Sequence, residues 1–148
     1  MLRVSMSALL FATGCASDGK DTAHHHHNHS DIPADANFSQ EATTEGGTWV
    51  LSYQTVPDAI ELSENFSVVV SVSTEDGLDT EATLNLLATM PAHDHAMNTE
   101  PIVTPNGDGT FDVDGMLFHM TGHWRIDVSV ESPDTPAERA WFDTTCCS

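Results

Sequence analysis

The sequence predicts an all-β protein: an immunoglobulin-like antiparallel β-sandwich of six or seven strands, preceded by a disordered linker. Three observations carry this. Apolar residues alternate with period two in several runs after Gly46-Gly47, turn-forming residues separate those runs, and no stretch shows a convincing helical period.

Trp49, Leu51 and Tyr53 form the first run, Phe66, Val68, Val70 and Val72 the second, and Leu84, Leu86 and Ala88 the third. Phe111 and Val113 open another, Trp124, Ile126, Val128 and Val130 give the clearest alternation, and Ala140 with Phe142 suggests a last short strand. Successive side chains on a strand point to opposite faces, so each run turns one face inward. Pro57-Asp58, Glu75-Asp76-Gly77, Asn106-Gly107-Asp108-Gly109 and Thr121-Gly122 supply the turns.

One run needs a correction of phase. If alternation continued unbroken from Phe111 and Val113, then Met116, Phe118 and Met120 would face solvent, which exposes three large apolar groups. A β-bulge at Gly115 turns them inward. Met116 is then core filler, His119 lies on the outer face at the strand end, and His123, across the Thr121-Gly122 turn, points outward too.

Three segments follow along the chain: a leader over residues 1–14, a linker over 15–46 and a folded domain over 47–148. Met1-Leu2-Arg3 and a short apolar run closing on Gly14-Cys15 look like a lipoprotein export leader, with Cys15 as the lipidated mature N-terminus. The alternative is a leader cleaved to release a soluble protein. The run is too short to span a hydrocarbon layer of ~30 Å. The expected location is therefore the cell envelope, beyond the inner membrane and facing the periplasm, with the lipid anchor as the only membrane contact.

From Ala16 to about Gly46 the only large apolar residues are Ile32 and Phe38, too few to build a core. This spacer contains His24, His25, His26, His27 and His29, a tract that gathers Zn²⁺, Cu²⁺ or Ni²⁺ without fixed geometry. A purification tag is one alternative, although tags seldom sit behind an intact leader and carry an Asn interruption; a solvated spacer is another.

Four Lys and Arg against 23 acidic residues give a formal charge of −19, which excludes nucleic acid as a partner. With Cys15 assigned to the anchor, the adjacent Cys146 and Cys147 remain, and neither has an obvious intrachain partner. An intermolecular bond, free thiols and soft-metal ligation all stay open.

The densest chemistry lies in two clusters. Met90-Pro91-Ala92-His93-Asp94-His95-Ala96-Met97 follows a strand that Pro91 should end, and His119-Met120-Thr121-Gly122-His123-Trp124 follows about one hairpin later. Imidazole nitrogen and thioether sulfur suit copper, whereas hard cations prefer oxygen. On an extended segment His93 and His95 share a side and could chelate one ion, with Met90 or Met97 adding sulfur. His119, Met120 and His123 would complete a shared site only if this loop and that hairpin tip meet. Solvated histidines are the plainer alternative.

Asn106 to Asp112 partly matches a calcium loop, but Thr104 and Gly115 stand where its first Asp and bidentate Glu belong. No nucleophile motif, phosphate-binding Gly loop or His-Glu-x-x-His occurs, so no enzyme is expected.

The first cluster, then Gly109-Thr110-Phe111-Asp112-Val113, then Met116-Leu117-Phe118-His119-Met120-Thr121-Gly122-His123-Trp124 and its following strand resemble the YtkA-like domain family over roughly Thr48 to Val130. That resemblance implies a small exported or membrane-tethered immunoglobulin-like sandwich found in copper or heavy-metal contexts. Met120, Gly122 and Trp124 match the family's usual run, while Thr121 replaces its Pro and His123 its basic residue.

The expected function is copper binding as a chaperone or scavenger, with ligand exchange to a metal-accepting envelope protein and zinc as a further ion. Alternatives are an envelope interaction module without metal and a zinc-gathering protein dominated by the His tract.

Overall fold

The computed structural model describes residues 39–147, all strand, turn or loop. The expected leader over residues 1–14, Cys15 and the His tract from His24 to His29 lie outside the described residues.

Two antiparallel sheets enclose one core. The first is built from β1 (Ser39–Thr43), β2 (Val50–Val56), β3 (Asn65–Thr74), β8 (Thr110–Leu117) and β7 (Ile102–Pro105), in that order, with β4 (Gly77–Leu78) also paired to β3. The second has the order β10 (Thr135–Cys146), β9 (Gly122–Ser132), β5 (Thr83–Met90) and β6 (His95–Ala96). The segment β2-β3-β8-β7 facing β10-β9-β5 is the ABED and GFC arrangement of an immunoglobulin sandwich, with β6 added at the open edge of β5.

All six apolar runs lie on strands, save that Trp49 immediately precedes β2, and every residue named in them is buried. The structure adds four short strands. β4 and β6 have two residues each, and β7 and β1 lie at sheet edges, where one-sided pairing requires no buried alternation. β1 corrects the linker boundary, because Ser39–Thr43 is ordered against β2 although it lies before Gly46. Gln40 also donates through Nε2 to the carbonyl of Asp143 on β10 at 2.7 Å, which ties this edge to the opposite sheet.

The bulge at Gly115 is present. Phe66 pairs with Met116 while Val68 pairs with Val113, so two steps on β3 face three on β8. Gly115 has φ +77°, a conformation that costs an L side chain, and a Cβ there would stand 3.3 Å from the carbonyl oxygen of Glu100. Met116 and Phe118 are consequently fully buried, and Met120 packs partly against the core.

Asn106-Gly107-Asp108-Gly109 forms the turn between β7 and β8, closed by a bond from the Asn106 amide to the Thr110 carbonyl at 2.9 Å. Thr110 donates to Asp108 through its hydroxyl and its amide, which holds the Asp108 carboxyl below its ordinary value.

Thr121-Gly122 corrects the expectation of a hairpin. β8 belongs to the first sheet and β9 to the second, so residues 118–121 cross between sheets at one end of the sandwich. The Ser63 amide donates to the Phe118 carbonyl at 2.9 Å, fixing the start of this crossing. Cys146 and Cys147 supply a third correction: they are joined to each other in a disulfide.

Candidate metal centre

Pro91 ends β5 as its missing amide requires, and the chain turns back at once. The amides of His93 and Asp94 both donate to the Met90 carbonyl at 3.0 Å, and Met90 pairs with His95 across the short β5–β6 hairpin. Asp94 takes φ +53°, a region that short polar side chains tolerate better than most. His93 and His95 are therefore neighbours through a turn rather than through two residues of extended strand. Their ring centroids lie 5.8 Å apart, with His93 exposed and His95 half-buried.

The crossing between the sheets brings in the second cluster. β8 stops at Leu117, so strand parity no longer governs His119, and its imidazole turns toward the β5–β6 tip instead of outward. The His119 and His95 centroids are 5.3 Å apart. Behind them stands the buried indole of Trp124, at 5.5 Å from His119 and 6.2 Å from His95. The indole itself is held by stacking on Phe118, with centroids 4.5 Å apart and planes 9° off parallel, and by donating through Nε1 to the Met120 carbonyl at 3.0 Å.

His123 does not join this row. It lies on the outer face of β9, where its Nε2 meets Asp143 Oδ1 at 2.7 Å, and Arg125 Nε approaches the same oxygen at 3.6 Å. The expectation that both imidazoles share one hairpin tip is thus corrected, because the chain changes sheets between them. Nothing local in the sequence marks Asp143 as the partner: its side of β10 follows from alternation, but its place beside His123 depends on the β9–β10 register.

The thioethers are also placed differently from the expectation. Met90 ends β5 facing the core at 1% exposure, and Met97 is 8% exposed with its sulfur accepting from the Leu117 amide at 3.4 Å. Burial of their apolar chains withdraws both from the surface on which His93 and His95 stand. Met120, next to His119, is only partly buried.

Two imidazoles bound to one ion at nitrogen distances of about 2.0 Å have centroids roughly 5–6 Å apart, which both observed separations match. The rings form a row rather than a closed set. Among the described residues, no three His, Cys, Asp or Glu side chains stand together as a preformed ion-holding group. The Nδ1 atom of His119 is buried without a hydrogen-bond partner, a costly state for an imidazole nitrogen.

A family model described as YtkA-like matches residues 51–129, a span that contains both clusters. The crystal structure of a DUF4426 family protein from Pseudomonas aeruginosa PAO1 is similar over 73% of this chain and 94% of its own, with a TM-score of 0.51 at 10% identity. At that identity the similarity concerns the fold alone. None of the curated proteins compared matches this chain.

Proposed function

This chain belongs to the YtkA-like family, and from that premise we propose that it is an exported, lipid-anchored copper-binding protein that acts as a chaperone or scavenger. The observation that carries the reading is the row His93–His95–His119, with spacings suited to imidazoles sharing an ion. The buried Nδ1 of His119 gains a partner when an ion arrives.

His95 and His119 form the core of the proposed site, and exposed His93 swings in on its turn as a third ligand. With Met90 and Met97 drawn into the core, nitrogen dominates the ligand set. That favours Cu(II) ahead of Zn²⁺ by the general affinity order, and Met120 is the thioether best placed to follow reduction to Cu(I). The role is non-catalytic. Partial exposure of the imidazoles suits ligand exchange with an envelope acceptor, and the His tract from His24 to His29 would gather ions for the site.

The full chain with those five tract histidines replaced by Gln, titrated with Cu(II), Cu(I) and Zn²⁺ against calibrated chelators, tests this. One tightly held Cu(II) is the expected result, and no tight ion of any kind would overturn it.

A docking module without metal is the second reading, favoured by the outer face of the second sheet. Trp141 is 42% exposed and Leu87 45%, and the Arg125 guanidinium lies 5.1 Å over the Trp141 ring. On that reading the same titration yields no stoichiometric ion.

A further inference from the structure

We propose that Cys146 and Cys147 form a second, redox-gated site for a soft monovalent metal ion: closed as the disulfide, and open to one Cu(I) as the dithiol. This inference uses residues outside the imidazole row and does not rest on it.

The pair sits at the end of β10, beside the start of β9 and the Met90 side chain of β5. Cys146 ends β10 and pairs with Gly122, the first residue of β9, at the end of the sandwich where the chain crosses between sheets. The alternation of β10 continues through Ala140, Phe142 and Thr144 to put Cys146 on the inner face, fully buried. Cys147 follows at φ +65° and packs half-buried on the same core. Opposite Cys146 there is no side chain, and a Cβ placed on Gly122 would stand 3.5 Å from Met90 Cε. The thioether arm of Met90 thus reaches the inner side of the position that pairs with Cys146. Two thiolates and a thioether are soft donors, and such donors select Cu(I).

The disulfide has no thiolate to offer, so binding depends on its reduction. An external dithiol supplies the electrons. Its thiolate attacks the more accessible Cys147 Sγ, the bond to Cys146 breaks, and Cys146 leaves as a thiolate. The reductant's second thiolate then attacks its own sulfur in the mixed disulfide, releasing Cys147 and closing the reductant's disulfide. Cu(I) binding to the two thiols releases two protons. Reoxidation by a disulfide of the envelope runs the exchange backwards and expels the ion.

The test uses the full chain in which His24, His25, His26, His27, His29, His93, His95 and His119 are replaced by Gln, alongside the chain with only the five tract histidines replaced. Each is treated with dithiothreitol, freed of it without oxygen, and titrated with Cu(I) against a chromophoric chelator; the untreated disulfide form is run beside it. The reduced form should take up one more equivalent than the disulfide form in both backgrounds. Cys147→Ser and thiol alkylation of the reduced wild-type residues should each remove that equivalent, so the result does not hang on one variant folding. Equal stoichiometry in reduced and disulfide forms, or no new thiols after dithiothreitol on the folded chain, overturns the proposal. Loss of the imidazole site leaves the difference intact, which separates this failure from failure of the Cu(II) reading.

Discussion

The imidazoles of His95 and His119 approach to 5.3 Å between centroids although they enter from different sheets, one from the β5–β6 tip and the other from the chain leaving β8. Their meeting depends on the crossing at residues 118–121. His123, just beyond it, belongs to another face and another partner. His123→Ala should therefore leave Cu(II) affinity unchanged. Stability should fall by about 1 kcal/mol, since what is lost is one hydrogen bond to the partly exposed Asp143 carboxylate. Chelator competition and urea unfolding on the same preparation read both quantities.

Gly115 sets the phase that buries Met116 and Phe118 and delivers His119 to the crossing. Gly115→Ala forces a side chain into φ +77° and brings it against the Glu100 carbonyl. A loss of about 1–2 kcal/mol is expected, read as a lower urea midpoint. If the midpoint is unchanged, the bulge is not specified by the glycine.

Tyr53 is the single tyrosine of the chain, so its titration can be followed by phenolate absorbance without interference from another. Burial pushes its hydroxyl up to about 12 from the ordinary 10. A raised folded value means that its contribution to stability is fully present below pH 10 and is lost as pH rises toward 12. The absorbance change should appear near the upper end of that window in the folded protein and near 10 in urea. Titration near 10 in the folded state would contradict the buried hydroxyl.

Glu138 behaves in the opposite sense. Hydrogen bonds from the hydroxyls of Thr44 and Thr48, and from the Thr48 amide, hold its carboxyl below the ordinary glutamate value. A depressed folded value gives stability that is present above the ordinary value of 4.5 and is lost as pH falls through the folded one. Glu138→Gln should thus be less stable than wild type at pH 6, and the gap should close on acidification below about 4. A gap independent of pH would show that charge at Glu138 is not involved.

The strands that bury a face were legible because burial imposes period two: Trp124 to Val130 reads as a strand without any partner in view. The Gly115 bulge was legible for the same reason, since the alternative exposed three large apolar groups. Edge strands such as β7, where Ile102 is 64% exposed, carry no such imprint. In the site, ligand type marked His93, His95 and His119, but nothing local says that β8 and β9 lie in different sheets. That fact separates His119 from His123. The β9–β10 register, likewise a property of the assembled sheet, gives His123 its carboxylate. Met90 and Met97 stand beside the loop histidines in sequence but face the core instead of the imidazole row, because their apolar area does more there than at the surface.

A double-mutant cycle on His95 and His119, in the full chain with the tract histidines replaced by Gln, tests the central claim most directly. Cu(II) affinity is measured by chelator competition for the parent, His95→Ala, His119→Ala and the double variant. Since loss of groups that merely support ligands costs about 10–100-fold, each single loss of a ligand should cost at least about tenfold. The double loss should fall well short of the product, because both residues hold one ion. Unchanged affinity in the double variant, or strictly multiplicative losses, would contradict a shared copper site.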